Sequence, residues 1–234
     1  MDRGVSVHVV DGEVVEVARA ESERGEVVLR RRTSQTGADV LELRVNGVFV
    51  MDTLENTSEI ELAALALDLV PDPRDVVVGG LGLGFTLQRV LADTRVELVT
   101  VVEVEDAVIE WMRDGTIPHG PAILADQRVK VVNADITMAI AEARRTHDLL
   151  LLDVDNGPGY LVHGDNEGLY STRMLTRCRE LLNPGGVLVV WAANRSPDLL
   201  ERMRDVFGDA EERPQDVLLQ DRPETYYLYL ARND

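Results

Sequence analysis

Three glycines, Gly80, Gly82 and Gly84, stand at alternate positions after the apolar run Asp75-Val-Val-Val and lead into Phe85-Thr-Leu-Gln-Arg-Val-Leu. That is the pattern of a strand, a glycine turn and the start of a helix. An acid, Glu103, closes the next apolar run, Val96–Val102, about 20 residues on. Such a unit holds an adenosine-bearing ligand: glycines let backbone approach it, and the acid accepts hydrogen bonds from ribose hydroxyls. A dinucleotide fingerprint would be G-x-G-x-x-G, and Phe85 stands where its third glycine belongs. The spacing therefore points away from a nicotinamide dinucleotide and toward S-adenosyl compounds.

Two further acids follow apolar runs and so fall at strand ends, where ligands of open α/β sheets lie. Asp135 follows Val131-Val-Asn-Ala, and Asp153 follows Leu149–Leu152. Asp135 also precedes a helix and is equally placed to cap it. Asp153 opens a polar stretch, Val154-Asp155-Asn156-Gly-Pro-Gly-Tyr160, that runs on through His163, Asp165, Asn166 and Glu167 to Tyr170. A loop of that length after a buried strand suits a binding or catalytic role. Asp165, Asn166 and Ser171 are also placed to cap the helix that starts near residue 170. Tyr160, Tyr170 and Trp191 can wall a pocket for a cation, and each also suits a core or rim position. No histidine has a partner at metal-ligand spacing, so no metal site is expected.

The elements that must carry these residues alternate after residue 56. Strands are expected at Val76–Val78, Val96–Val102, Val129–Val132, Leu149–Leu152 and Val187–Trp191, with helices near 86–92, 106–113, 136–144, 170–182 and 197–207. Continuous apolar strands alternating with helices predict a parallel sheet covered on both faces. Ser58-Glu-Ile-Glu61 reads as a capping box opening a helix through Val70, which Pro71-Asp-Pro73 ends. Pro184-Gly-Gly186 reads as a turn, Ser196-Pro197 as a helix start, and Thr225–Leu230 as a last β run with tyrosines on one face. Residues 1–55 read as a small β region. Asn46-Gly47 between apolar runs is a strong hairpin signal, with weaker strands at Val5–Val10, Val14–Val17 and Glu26–Arg31. This region has too little apolar material to stand alone and must pack on residues 56–234 or on a second subunit.

The formal charge of the 234 residues is -18. A nucleic-acid partner would call for a basic patch, and the basic runs are short (Arg30–Arg32, Arg144-Arg145), so none is expected. An acidic field suits a cationic ligand such as an amine, and acidity also serves solubility. One cysteine, Cys178, excludes an internal disulfide and a cysteine-based metal cluster. With no apolar stretch of membrane-spanning length and no leader-like start, the expectation is a cytoplasmic protein.

From about residue 40 to residue 207 the chain resembles the spermidine synthase family, a branch of the class I S-adenosylmethionine-dependent methyltransferase fold. The resemblance is carried by Leu43-Arg-Val-Asn-Gly47, Val101-Val-Glu103-Val-Glu105, Asn133-Ala-Asp135, Leu152-Asp153-Val-Asp-Asn-Gly-Pro158, and Leu169-Tyr170 through Leu182-Asn-Pro-Gly-Gly186. It implies a Rossmann-like, mostly parallel seven-stranded sheet after a small N-terminal β region, and a homodimer. It also implies roles: Glu103 on the ribose, Asp135 on the adenine amino group, and Asp153 as the catalytic acid. The donor would be S-adenosylmethionine or its decarboxylated form. Three positions depart from the family pattern. Leu83 stands where the glycine loop usually carries an aspartate for the donor's amine, and Asn156 stands where the catalytic loop usually has a second aspartate. Asn56–Glu61 replaces a tyrosine-containing segment.

The resemblance thus implies transfer of an aminopropyl-type group to an amine, with Asp153 expected to orient the nucleophile and take its proton. The alternatives are a small-molecule methyltransferase, favoured by Leu83, and a non-catalytic binding or assembly protein of the same fold. A nicotinamide dehydrogenase is disfavoured by Phe85.

Overall fold

The computed structural model describes residues 14–34, 37–154, 168–220 and 222–234. The strand expected at Val5–Val10 and the loop residues Asp155, Asn156, Tyr160, His163, Asp165, Asn166 and Glu167 lie outside them.

Four strands, β1 (Val15–Ser22), β2 (Gly25–Thr33), β3 (Asp39–Val45) and β4 (Val48–Asp52), form an antiparallel meander. Asn46 and Gly47 both take positive φ, 52° and 76°, the conformation that a two-residue hairpin turn demands. After β4 the chain enters α1 (Thr57–Leu69), then β5 (Asp75–Gly79), α2 (Phe85–Leu91), β6 (Leu98–Glu103), α3 (Asp106–Asp114), α4 (Gly120–Leu124), β7 (Val129–Asn133), α5 (Ile136–Glu142) and β8 (His147–Leu152). It closes with α6 (Thr172–Glu180), β9 (Leu182–Ala192), α7 (Pro197–Phe207), β10 (Glu211–Leu219) and β11 (Arg222–Arg232).

The second sheet has seven strands in the order β10-β11-β9-β8-β5-β6-β7. β9, β8, β5, β6 and β7 are parallel, while β11 runs antiparallel to β9 and β10 antiparallel to β11. The chain winds outward from β5 through β6 to β7, then returns to start β8 on the other side of β5. That reversal opens a crevice at the carboxyl ends of β5 and β8.

Side-chain alternation along the strands separates two cores. Val76, Val78, Val99, Val101, Leu149 and Leu151 face α1 to α4, and Val27, Leu29, Leu43, Val45 and Met51 of the small sheet join the same cluster. Val77, Val102, Leu150, Leu152, Leu188 and Val190 face α5, α6 and α7. The small sheet is thus packed on the larger unit through a continuous apolar core, as its shortage of apolar residues requires.

Several local expectations need correction. Ser58 and Glu61 form no capping box: α1 starts two residues earlier, after Asn56, and its first turn has no side-chain cap. Ser58 is buried inside that turn. Pro184-Gly-Gly186 does not separate α6 from β9. It lies within β9 as an irregularity in its pairing with β8, where Gly185 has φ 79°. The expected capping of α7 is present, with Ser196 accepting from the Leu199 N–H and Pro197 following it, and Ser171 caps α6.

Candidate active site

The residues singled out at the strand ends meet in one cleft. Its floor is Gly80 and Gly82. Glu103, Asp135 and Asp153 stand around it, Trp191 closes one side, and Val50 and Met51 of β4 form part of its wall.

The glycine loop is shaped by close approach of protein to protein. Gly80, Gly82 and Gly84 have φ of 92°, 49° and 85°, a region that L side chains rarely adopt. A Cβ on Gly80 would lie 2.0 Å from the Asp153 carbonyl oxygen, and one on Gly82 would lie 2.6 Å from the Met51 sulfur. The loop is also tied from outside. The Gly80 N–H donates to the Val102 carbonyl at 2.8 Å, and the Leu83 N–H points at the Met51 sulfur at 3.2 Å. The His119 Nε2 lies 2.6 Å from the Leu83 carbonyl and therefore carries its proton there.

Glu103 ends β6 and is buried. Its Oε2 accepts the Leu81 N–H and its Oε1 the Glu105 N–H, each at 2.8 Å. Burial raises its carboxyl above the usual range, while these backbone donors pull the other way. One carboxyl group thus anchors the glycine loop to the strand end while lining the cleft. Asp135 does cap α5, accepting from the Thr137 N–H at 2.7 Å and the Met138 N–H at 3.2 Å through Oδ1, and it lines the cleft as well.

Asp153 follows β8. Its backbone N–H donates to the Gly79 carbonyl at 2.8 Å, and its Oδ2 accepts the Thr86 hydroxyl at 2.7 Å. Burial pushes its carboxyl up to about 6; the Thr86 hydroxyl opposes the rise and the Glu103 charge adds to it. The rise brings it toward the range where a carboxylate exchanges protons readily. Trp191, next to last in β9, stands in the cleft wall, donates its indole N–H to the Ser58 hydroxyl at 3.0 Å, and packs on Tyr226 with ring centroids 4.8 Å apart.

Tyr170 is not brought into the cleft. It is buried in the second core, and its hydroxyl reaches the Val154 carbonyl, next to Asp153, at 3.4 Å. Leu83 also points away, fully buried in the first core.

Sequence reasoning passed over Glu59, Thr86, Met51 and Tyr226. Glu59 had a signal. With Leu62, Ala63 and Ala66 it forms an i, i+3, i+4, i+7 stripe, which marks an acid on the buried face of a helix.

The strand order, the reversal at β5 and the acids at the carboxyl ends define a Rossmann-like fold of the class I methyltransferase type, preceded by a small antiparallel sheet. The chain belongs to the spermine/spermidine synthase domain family, whose family model matches residues 56–206. A polyamine aminopropyltransferase of Saccharolobus solfataricus is 28% identical over 162 residues, covering 65% of this chain and 52% of that protein. One from Escherichia fergusonii is 30% identical over 118 residues, covering 50% of this chain and 38% of that protein. The chain therefore spans about half or less of the length of these curated relatives. Among solved structures, a spermidine synthase in complex with the transition-state analogue AdoDATO aligns with a TM-score of 0.78 at 19% identity, over 94% of this chain and 74% of that one. Spermidine synthase from Thermotoga maritima aligns with a TM-score of 0.75 at 18% identity, over 94% and 72%. At these identities the structural likeness speaks for the fold.

Proposed function

We propose that this chain is a transferase of the spermidine synthase type, which binds decarboxylated S-adenosylmethionine and passes an aminopropyl-type group to a small amine. The observation that carries the reading is the convergence of the glycine loop, Glu103, Asp135 and Asp153 on one cleft. The names of the family relatives support it.

The cleft fits an adenosyl group. Glu103 is assigned to the ribose hydroxyls and Asp135 to the adenine amino group, through the oxygen that α5 leaves unused. Val104, Val108 and Ile136 offer the ring an apolar wall. The donor, when bound, supplies a carbon made electrophilic by its sulfonium. Asp153 is assigned to the incoming amine, with Thr86 holding Oδ2 so that Oδ1 orients the nucleophile and receives its proton. Trp191 walls the amine's side of the cleft. Asp155, Asn156 and Tyr160, on the loop that Asp153 opens, are further substrate contacts in this reading.

We read residues 1–55 as a small β unit and 56–234 as the transferase domain, with Met51 of β4 closing the cleft between them. We also propose a cytoplasmic homodimer: the single cysteine suits a reducing compartment, and the family resemblance supports the pairing. No described helix is long and apolar enough to cross a membrane.

A specific observation keeps methyl transfer from S-adenosylmethionine as a second reading: the glycine loop presents no acid to a donor amine, because Leu83 is buried in the core. Calorimetric titration with decarboxylated S-adenosylmethionine, S-adenosylmethionine and methylthioadenosine separates the readings. Preference for the decarboxylated donor is expected. Preference for S-adenosylmethionine would move the assignment to methyl transfer, and binding of none would remove the adenosyl reading.

A further inference from the structure

Glu59 is an ionisable side chain of the cleft to which the roles above give no task. It sits in the first turn of α1 and is 8% exposed, yet it lines the cleft with Asp153 and Trp191. Its Oε2 accepts the Ser58 hydroxyl at 2.8 Å, and the Ser58 oxygen in turn accepts the Trp191 indole N–H. The carboxyl is therefore held in place by a residue of the cleft wall. Thr86 ties Asp153 to the backbone of α1, not to the Glu59 carboxyl: its hydroxyl lies 2.7 Å from Asp153 Oδ2 and 3.4 Å from the Glu59 main-chain carbonyl oxygen.

The surroundings are negative on several sides. Burial, the Asp153 charge and Glu55 raise the Glu59 carboxyl to about 8, against the pull of the Ser58 hydroxyl. Tyr226 of β11 is pushed up to about 12 by burial and by Glu59, Glu224, Glu55 and Asp52. Glu103 stands beyond Asp153, and Asp52 is already paired with Arg32 at 2.6 Å. Two buried acids facing one cavity are costly without a counter-charge, and an alkylammonium placed between them removes that cost. The Trp191 ring in the cleft wall, with Tyr226 packed on it, suits the same cation. The glycine loop offers it nothing, since the Leu83 side chain is buried in the core.

We propose that Glu59 is the carboxylate that receives the alkylammonium of an amine-bearing ligand in this cleft, an acid delivered by α1 where the glycine loop supplies none. This rests on the adenosyl reading of the same cleft. The alkylammonium belongs either to the donor's aminopropyl arm or to the acceptor amine.

The test is calorimetry on the whole protein and on Glu59→Gln with three probes. Methylthioadenosine carries no ammonium and should bind both proteins within about twofold. Decarboxylated S-adenosylmethionine, or 1,4-diaminobutane added over saturating methylthioadenosine, should bind the variant roughly 10- to 100-fold more weakly. The ligand that loses affinity identifies the source of the ammonium. Unchanged affinity for both, with methylthioadenosine still bound, overturns the proposal. Wild-type protein that fails to bind methylthioadenosine overturns the adenosyl reading instead, and the proposal falls with it. Should the variant not fold, the wild type decides alone. Titrated at about pH 7 in two buffers of different ionisation heat, it should release protons on binding the amine and none on binding methylthioadenosine. No release overturns the assignment.

Discussion

Replacing Asp153 by Asn is expected to move stability and activity in opposite directions. Burial lifts this carboxyl from 3.8 to about 6, the Thr86 hydroxyl pulls it down, and Glu103 adds to the rise. An acid raised in the folded state holds a proton that the unfolded chain has already released between those two values. Its ionised form therefore costs stability above about pH 6, and the cost is relieved as pH falls toward 4. At neutral pH the cost is at most roughly 3 kcal/mol, from about 1.4 kcal/mol per pH unit. Asn keeps the shape and an acceptor for Thr86, whose pull on the charged form is already contained in the net rise. The gain is therefore at most roughly 3 kcal/mol, or about 6–12 °C in Tm for a chain of this size. An amide cannot take the amine's proton, so turnover should fall roughly 100-fold or more. Thermal melts and initial rates at about pH 7.5, with melts repeated near pH 5, measure both effects. The wild type should gain more stability than the variant on acidification. A variant less stable than wild type near neutrality, or one turning over within about tenfold of it, refutes the reasoning.

Other changes test the scaffold. Gly80→Ala forces a Cβ to within 2.0 Å of the Asp153 carbonyl oxygen at a φ of 92°, and should lower stability by roughly 3 kcal/mol or more in denaturant titration. Glu103→Gln turns an amide NH2 toward the N–H of Leu81 or Glu105. It should cost roughly 2 kcal/mol and weaken methylthioadenosine binding by about tenfold or more, read by melting and calorimetry. Arg32→Met strands Asp52, which is 1% exposed, and should cost roughly 2–4 kcal/mol in denaturant titration. Burial pushes the Cys178 thiol up to about 12, so a thiol reagent should titrate it only after unfolding.

The parallel core was legible because each of its strands is an apolar run that an acid or a turn ends. Asn46-Gly47 announced its hairpin by the same local logic. β10 escaped notice because it is an edge strand: Glu211-Glu-Arg-Pro-Gln-Asp216 is mostly polar and exposed, with Pro214 where an edge tolerates it. α4 begins Gly120-Pro121 and is a single short turn, a pattern that local propensity assigns to a loop. Ser58-Glu-Ile-Glu61 satisfied the capping-box spacing, but tertiary packing prevailed, since Trp191 from β9 takes the Ser58 hydroxyl. The same long-range contact explains why Glu59 was overlooked: its neighbours Asp153, Thr86 and Trp191 come from three distant segments. Tyr170 shows the converse, a residue of the right type and neighbourhood that the fold turns into its core.

The most direct test of the central claim is to incubate the protein with decarboxylated S-adenosylmethionine and a set of diamines, and in parallel with S-adenosylmethionine, and identify the thioether released. The leaving thioether reports which carbon–sulfur bond was broken. Methylthioadenosine, formed in step with an aminopropylated amine, is the predicted product. Release of S-adenosylhomocysteine from the parallel incubation, with no methylthioadenosine from the first, would contradict aminopropyl transfer and assign the cleft to methyl transfer.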